Sequence, residues 1–492
     1  MGSNANAPLS QSEAQHLLRR TGFGATADKV KTILKTYPTR GKAADYVLNF
    51  KPAKFKPGGK DIDAVRNNWI KYMLGVKAPL QEKLVLFWHD HFATGNDKVD
   101  NYKLMAVQNQ LLRQFCKGDF KAFVKAINKN AAMMEYLDTV RNRKREPNEN
   151  YARELEELFT LGVKDFNGNP NYTQEDIVQI ARAFSGWDYD GKGVAVFEPS
   201  RHDFTEQFPE RGPKVIYTSA GGFGAAGRDY TQPGGEGPTE IDQVIDIIFQ
   251  HKDSDGKNTV ARYIANKLFT YLANATPAIA DIDTLVADAQ FDTAFDIGQL
   301  VRAILINDAF YATAAAAPFT ASTKKSVKWP TDYVVTTLRL LGMKLKGADQ
   351  HINFSSGTPA QDYLSAMGQI LLEPPSVFGW DWETAWLSSA TLLARYQFAT
   401  DVIAARGKGA TSFRPEKLID LNLTDAGAIV DAVTDLLGVT DQLAPADRNA
   451  LISYLTDGNP SMAVNLNDDN FRTLKLNGLF GLVLQSPAYQ LH

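Results

Sequence analysis

The sequence predicts a mostly α-helical fold, a single large helical domain with a glycine-rich insert. Apolar residues recur at spacings of three and four along most of the 492 residues, for example at Ile241, Val244 and Ile248. Strand-like alternation is scarce, and no fixed-period repeat is visible. Because no flexible linker separates the helical segments, we expect one domain over 1–492, with 405–470 as a candidate peripheral helical appendage.

The predicted helices are bounded by residues that favour helix starts and stops. Pro79 suits the first position of a helix, and Gly22 and Gly162 stand where helices would end. The periodicity predicts helices over 10–20, 61–74, 79–92, 97–116, 120–128, 150–161, 173–186, 240–250, 258–272, 296–306, 329–342, 384–404, 423–437 and 470–486.

Residues 187–239 depart from this pattern, because they are rich in glycine and lack helical periodicity. Two short apolar runs, 194–197 and 214–217, predict a small β-hairpin within this insert. A loop-rich insert of about 50 residues in a helical protein is more often functional than idle.

Composition excludes several classes of protein. The net charge of -3 and the lack of a basic arm argue against nucleic-acid binding. No apolar run approaches the roughly 20 residues that a transmembrane helix requires. Cys116 is the only cysteine, so neither an intrachain disulfide nor a thiolate metal cluster can form.

The predicted helix over 150–161 carries more charge than the burial of one apolar face requires. Glu149, Arg153 and Glu157 are spaced at i, i+4 and i+8, so the arginine can bridge both glutamates in a structural lattice. Asn150 and Glu154 lack such a local explanation. Glu154 and Glu157, one turn apart, could bind a metal, share a proton, or act as acid and base on a glycosidic bond.

Two histidines stand at the end of the predicted helix 79–92, in the run FWHDHF over 87–92. His89 and His91 lie about 200° apart on a helix, so both can serve one site only where the helix ends. An H-x-H pair beside a carboxylate is one pattern of a divalent-metal site. The alternative is an aromatic anchor with two hydrogen-bonded core histidines.

Two further motifs could serve a site. His202 and Asp203 lie in the insert, upstream of Lys214, where the histidine could be a general base, a ligand or a turn residue. Trp380 and Trp386 lie close together in sequence and could stack against sugar rings, although tryptophans are as often buried in the core.

In their order along the chain these motifs resemble a large bacterial family known only as domain of unknown function 1800. The resemblance includes HLLRR at 16–20, FWHDHF at 87–92, NENYARE at 148–154, YT at 172–173, ARAFSGW at 181–187, HD at 202–203, PPSVFGW at 374–380 and LLAR at 392–395. The resemblance implies no established activity. It departs at Glu156, where the family usually has an apolar residue, and at 204–211, which intervene before Lys214.

The family typically looks exported, often through a twin-arginine-like signal, which implies a periplasmic or secreted protein. Residues 1–8 look like a cloning remnant on a trimmed N-terminus, so we expect the signal peptide to have been removed.

From these observations we predict an exported hydrolase of a carbohydrate or other polymer, with a carboxylate and histidine cleft that could hold a divalent metal. The alternative is a non-catalytic periplasmic or surface binding protein whose charged motifs are structural lattices. The candidate residues are Glu154, Glu157, His202 and Asp203 for catalysis, Asn150, Arg153, Trp88, Lys214, Trp380 and Trp386 for substrate binding, and His89 and His91 for a metal.

Overall fold

In the computed structural model the chain is mostly helical, as its periodicity predicts. The structure describes residues 3–204, 214–217, 228–229, 237–273, 277–312, 326–345, 359–405, 412–459 and 461–492. The helices of the first part are α1 (Gln11–Arg20), α2 (Ala27–Thr36), α3 (Arg40–Leu48), α4 (Ile62–Gly75), α5 (Pro79–His91), α6 (Asn96–Val99), α7 (Tyr102–Phe115), α8 (Phe120–Asn128), α9 (Ala131–Tyr136), α10 (Asn150–Glu154) and α11 (Gln174–Ala183).

The second part is also helical and ends close to the last residue. Its helices are α12 (Glu240–Ile248), α13 (Thr259–Leu272), α14 (Ile279–Ala289), α15 (Phe291–Ala294), α16 (Ile297–Ile306), α17 (Asp308–Tyr311), α18 (Pro330–Leu340), α19 (Ala360–Ala366), α20 (Ser389–Ala404), α21 (Ala426–Leu437), α22 (Pro445–Leu455), α23 (Asp469–Phe471), α24 (Asn477–Gln485) and α25 (Pro487–Gln490). Two π-helical stretches, Leu155–Thr160 and Arg472–Leu476, follow α10 and α23 respectively.

Local capping explains several of the helix boundaries. Helix α1 begins with a capping box between Ser10 and Glu13, and α5 begins with Pro79 in its first turn. The predicted helix 97–116 is divided, because Asp100 adopts a left-handed conformation with φ of 47° and Asn101 caps α7 anew. Several short helices between the predicted segments, such as α2 and α3, were not expected from periodicity.

Two small antiparallel sheets replace the predicted hairpin. Strand β1 (Trp187–Tyr189) pairs with β2 (Ala195–Phe197), and β3 (Val215–Ile216) pairs with β4 (Arg228–Asp229). The prediction that 194–197 would pair with 214–217 is therefore wrong. The first run finds its partner only a few residues upstream, where the loop to be closed is shorter and costs less entropy. Within the insert, residues 205–213, 218–227 and 230–236 lie outside the described residues.

The buried hydrophobic side chains form one cluster that extends from Leu9 to Leu491. Helix α5 lies inside this cluster, because every residue from Leu80 to His91 is buried. Within the region 405–470, α21 and α22 pack against α24, which in turn packs against α20. A continuous core is what a single domain requires. The division into one domain with a peripheral appendage stays a prediction.

Candidate functional site

His89 lies on α5, and its side chain is enclosed by the core. The helix continues through His91 without fraying, so the two imidazoles project in different directions. His89 Nε2 accepts a hydrogen bond from the backbone N–H of Leu372 at 2.9 Å, and its ring packs edge-on against Trp69 and Trp380. Burial lowers the pKa of His89 to about 3, which keeps the imidazole neutral.

His91 contacts a different part of the molecule. Its Nε2 lies 3.2 Å from the carbonyl oxygen of Phe159 and donates to it, which joins the end of α5 to the π-helical stretch. Burial also lowers the pKa of His91 well below its ordinary value. Among the described residues, no group of three or more His, Cys, Asp or Glu side chains could hold a metal ion. The geometry therefore does not support the metal-binding role predicted for His89 and His91.

The tryptophans that were candidate substrate contacts belong to the core. Trp88 is fully buried and donates its indole N–H to the carbonyl oxygen of Cys116 at 3.0 Å. Trp380 and Trp386 are buried as well, and both pack around Trp329. Buried rings cannot stack against a sugar, so the core interpretation of these three tryptophans is the one that fits. Trp382 is the tryptophan of this region that stays half-exposed.

Asp90 holds the 379–382 turn against α5, a role that sequence analysis missed. Its carboxylate accepts hydrogen bonds from the backbone N–H of Trp380 at 2.7 Å and the indole N–H of Trp382 at 2.9 Å. Gly379 has φ of +82°, and a side chain there would collide with Asp90, so the turn requires glycine. Burial raises the pKa of Asp90 to about 7, against the opposing charge of Lys267.

The charged lattice allowed by the spacing on α10 is present. Arg153 lies 3.0 Å from Glu149 and 3.6 Å from Glu157, measured between guanidinium nitrogens and carboxylate oxygens. Glu157 also accepts a hydrogen bond from the hydroxyl of Tyr172. These contacts account for Glu149, Arg153 and Glu157 as the lattice interpretation proposed.

Glu154 stands apart from that lattice. Its side chain is half-buried and makes no hydrogen bond or ion pair with any residue of the described ranges. Burial and, to a smaller extent, the neighbouring charge of Glu157 raise the pKa of Glu154 to about 7, while Arg153 opposes the shift. Asn150, one turn away and exposed, donates its amide N–H to Asp138 at 3.2 Å. The Glu154 carboxyl is therefore present in both its protonated and its ionised form near neutral pH.

His202 and Lys214 meet at a glutamate on α12 that sequence analysis missed. With Nδ1 of His202 donating to the carbonyl oxygen of Ser185 at 2.8 Å, Nε2 lies 3.1 Å from a carboxylate oxygen of Glu240. The Lys214 ammonium donates to both oxygens of that carboxylate, at 2.7 and 2.8 Å. All three side chains are fully buried, so this triad cannot reach a polymeric substrate.

Asp203 is paired in the same buried layer. Arg182, on α11, donates its Nε–H to Asp203 at 3.0 Å, and both side chains are buried. Gly186 allows the backbone of His202 to lie close to it, because its φ is +85° and a side chain at this position would press on that backbone. Within the described part of the chain, no hydrogen bond or ion pair connects His202, Asp203 or Lys214 with Glu154.

Comparison with known proteins gives one result. The family described as Protein of unknown function (DUF1800) matches residues 16–491, nearly the whole chain. The chain belongs to this family. Comparisons with curated proteins and with solved structures found no match.

One departure from the DUF1800 pattern, residues 204–211, precedes Lys214. Despite the residues that intervene after Asp203, Lys214 still reaches a buried carboxylate, that of Glu240.

In the described ranges of this DUF1800 member, none of the helices has the length and apolar character that a membrane span requires.

Glu156 is the other departure from the DUF1800 pattern. It is buried in the π-helical stretch, and the hydroxyl of Tyr217 donates to it at 2.9 Å. Burial raises the pKa of Glu156 to about 8. An unfolded glutamate has a lower pKa, so the folded chain binds the extra proton, and stability falls as the pH rises from about 4.5 to about 8.

Replacing Glu156 by glutamine is therefore expected to stabilise the protein by about 4 kcal/mol at pH 8 and to change little at pH 4.5. Glutamine keeps an acceptor for the Tyr217 hydroxyl and carries no charge at either pH. Thermal unfolding of both proteins at the two pH values measures the difference. An equal effect at pH 4.5 and pH 8 would show that folding does not raise the pKa of Glu156.

Proposed function

We propose that the protein is a hydrolase of a carbohydrate polymer and that Glu154 is its general acid. The observation that carries the proposal is the state of Glu154, a half-buried carboxyl with a pKa of about 7 and no hydrogen-bond partner within the described ranges. A structural carboxylate is normally paired, whereas a general acid must keep its proton available to a substrate.

Glu157 supplies the second carboxylate that such a reaction needs. Two residues separated by one helical turn have Cβ atoms about 5–6 Å apart, and the longer glutamate side chains can spread their carboxyl groups to the separation of about 6.5–9.5 Å that leaves room for an attacking water. Tyr172 and Arg153 both contact Glu157 and hold its side chain in place. Arg153 and Asn150 flank the pair and would contact the sugar hydroxyls.

The reaction follows from these two roles. The Glu154 carboxyl donates its proton to the glycosidic oxygen as the bond between that oxygen and the anomeric carbon breaks. A water molecule attacks the anomeric carbon, and the Glu157 carboxylate accepts the proton that this water loses. A proton passes from Glu157 to Glu154 through solvent before the next cycle. His89, His91 and His202 take no part, because their contacts lie in the core.

The test is the hydrolysis of a panel of soluble polysaccharides, measured by the release of reducing ends. We expect Glu154→Gln to lower kcat at least about 100-fold, since proton transfer by a placed acid contributes about 10²–10⁴-fold. The matched control is Glu146→Gln, an exposed glutamate just before the same helix. Wild-type activity is expected to decline as the pH rises through about 7, because Glu154 must be protonated to act. An active Glu154→Gln variant would contradict the proposal.

We also propose that the protein acts in the periplasm or outside the cell. The support is its membership of DUF1800, a family whose members typically look exported. Fractionation of the source cells with an antibody against this chain tests the location. Recovery in the cytoplasmic fraction alone would contradict it.

A second function is non-catalytic binding at the cell surface or in the periplasm. The burial of the other candidate residues in ion pairs favours it. His202, Asp203 and Lys214 are enclosed in buried ion pairs, as structural lattices would be. If no polysaccharide of the panel is cleaved while some are bound, this function is the one to retain.

A further inference from the structure

A cavity of about 800 Å³ opens on the surface between α3 and α16, and it shares no lining residue with the Glu154 helix. The end of α2 and Lys117, from the turn after α7, complete its wall. Its volume falls in the range of about 300–1,000 Å³ that is usual for small-molecule sites. Neither the acid–base proposal nor the family assigns it a role.

Two tyrosines form an aromatic platform at this cavity. The rings of Tyr37 and Tyr46 are stacked, with centroids 4.4 Å apart and an interplanar angle of 26°. Tyr37 supports one face of the Tyr46 ring, and Tyr46 is 44% exposed. An exposed, supported ring offers a flat apolar face with a hydroxyl at its edge, which suits the C–H face of a sugar.

The rim of the cavity carries amide groups that have no partner. The side chains of Asn49 and Gln299 are exposed, and within the described ranges neither makes a hydrogen bond. An amide offers both donors and an acceptor in one plane, so it can pair with a hydroxyl in either role. Beside them the Asp45 carboxylate is held by Arg302 at 2.6 Å and keeps acceptor sites open.

The charges of the lining are nearly balanced. The cations are Lys42, Lys117 and Arg302, and the anions are Asp45 and Asp296. Two of the cations are already occupied, since Arg302 pairs with Asp45 and Lys117 donates to the carbonyl oxygen of Leu48 at 2.7 Å. A phosphate site would instead concentrate free cations or backbone N–H groups. The cavity therefore suits an uncharged ligand with many hydroxyls.

We propose that this cavity binds a neutral oligosaccharide, stacked on Tyr46 and hydrogen-bonded by Asn49, Gln299 and Asp45. The site lies apart from Glu154 and would hold a polymer whether or not the protein cleaves it. If Glu154 does cleave carbohydrate, the cavity is a second binding site that retains the chain.

The test measures binding by calorimetry in the Glu154→Gln background, so that turnover does not consume the probe. The neutral probes are hexasaccharides of cellulose, starch, xylan, laminarin and chitin, and a hexamer of galacturonate is the acidic probe. At least one neutral probe is expected to bind, and Tyr46→Ala should weaken it at least tenfold, while Tyr46→Phe, which keeps the ring, should weaken it far less. Phe378→Ala is the matched control, because Phe378 is 71% exposed and does not line the cavity.

Gln299→Ala provides a second test that removes only a surface amide. It should weaken the same probe without altering the melting temperature. No binding of any neutral hexasaccharide, equal binding by Tyr46→Ala, or binding confined to an acidic hexamer of galacturonate would overturn the proposal. The hydrolase proposal fails separately, through an active Glu154→Gln variant, and that result would leave the binding measured here unaffected.

Discussion

Replacing Glu240 by alanine is expected to lower the free energy of unfolding by about 3–5 kcal/mol, the cost of breaking a fully buried ion pair. The Lys214 ammonium would lose both of its carboxylate contacts, and His202 would lose its neighbour on Nε2. All three groups are fully buried, so water cannot replace the lost partner. Chemical unfolding followed by tryptophan fluorescence measures the change.

Two controls separate the buried charge from other causes. Asp431→Ala removes the partner of Arg448 in an exposed pair of similar length, 2.7 Å, and should cost no more than about 1 kcal/mol. The double variant Lys214→Met/Glu240→Leu removes both buried charges and should recover most of the lost stability. A loss below about 1 kcal/mol in Glu240→Ala would mean that the triad is hydrated in solution.

Acidification from pH 7 to pH 4.5 is expected to lower the free energy of unfolding. In the described part of the chain, burial lowers the pKa of five histidines, namely His16, His89, His91, His251 and His492. The unfolded chain protonates these groups at about pH 6.5, whereas the folded chain does not. The unfolded state therefore binds more protons, and stability declines as the pH falls below about 6.5.

Three carboxyls work in the opposite direction. Burial raises the pKa of Asp90 and Glu154 to about 7 and that of Glu156 to about 8. The folded chain binds these protons first, so their contribution to stability rises as the pH falls towards about 4.5. Their gain offsets only part of the histidine loss. Removing one offset in Glu156→Gln should make the acid-induced loss steeper than in the wild type.

Urea unfolding at half-unit steps of pH measures both curves. A wild-type stability that is constant or rises between pH 7 and 4.5 would show that the buried histidines accept protons without unfolding. A Glu156→Gln curve parallel to that of the wild type would place the carboxyl of Glu156 outside this balance.

The periodicity of apolar residues was sufficient to predict the fold class. Each helix buries an apolar stripe, and such a stripe requires apolar residues at spacings of three and four. Pro79 and Gly162 mark helix ends through local backbone preferences, which is why those boundaries were predictable. Strand pairing was not predictable, because the partner of 195–197 depends on which loop can close with the smallest loss of entropy.

The lattice of Glu149, Arg153 and Glu157 was also predictable, because all three residues belong to one helix and interact with residues one turn away. The isolation of Glu154 followed from the same reasoning by exclusion. The burial of Trp88, His89 and His91 was not predictable, because α5 carries polar residues whose partners, such as Leu372 for His89, lie in distant segments.

The sequence by itself determined the helical class, the family motifs and the local ion pairs, because these depend on neighbours within a few residues. Only the tertiary structure decided that Lys214 and His202 share Glu240, that Asp90 holds the turn at Gly379, and that Tyr37 supports Tyr46 beside an open cavity. These contacts join segments that are separate along the chain. Burial, which shifts the pKa of each group, is a property of the packed molecule and of no single segment.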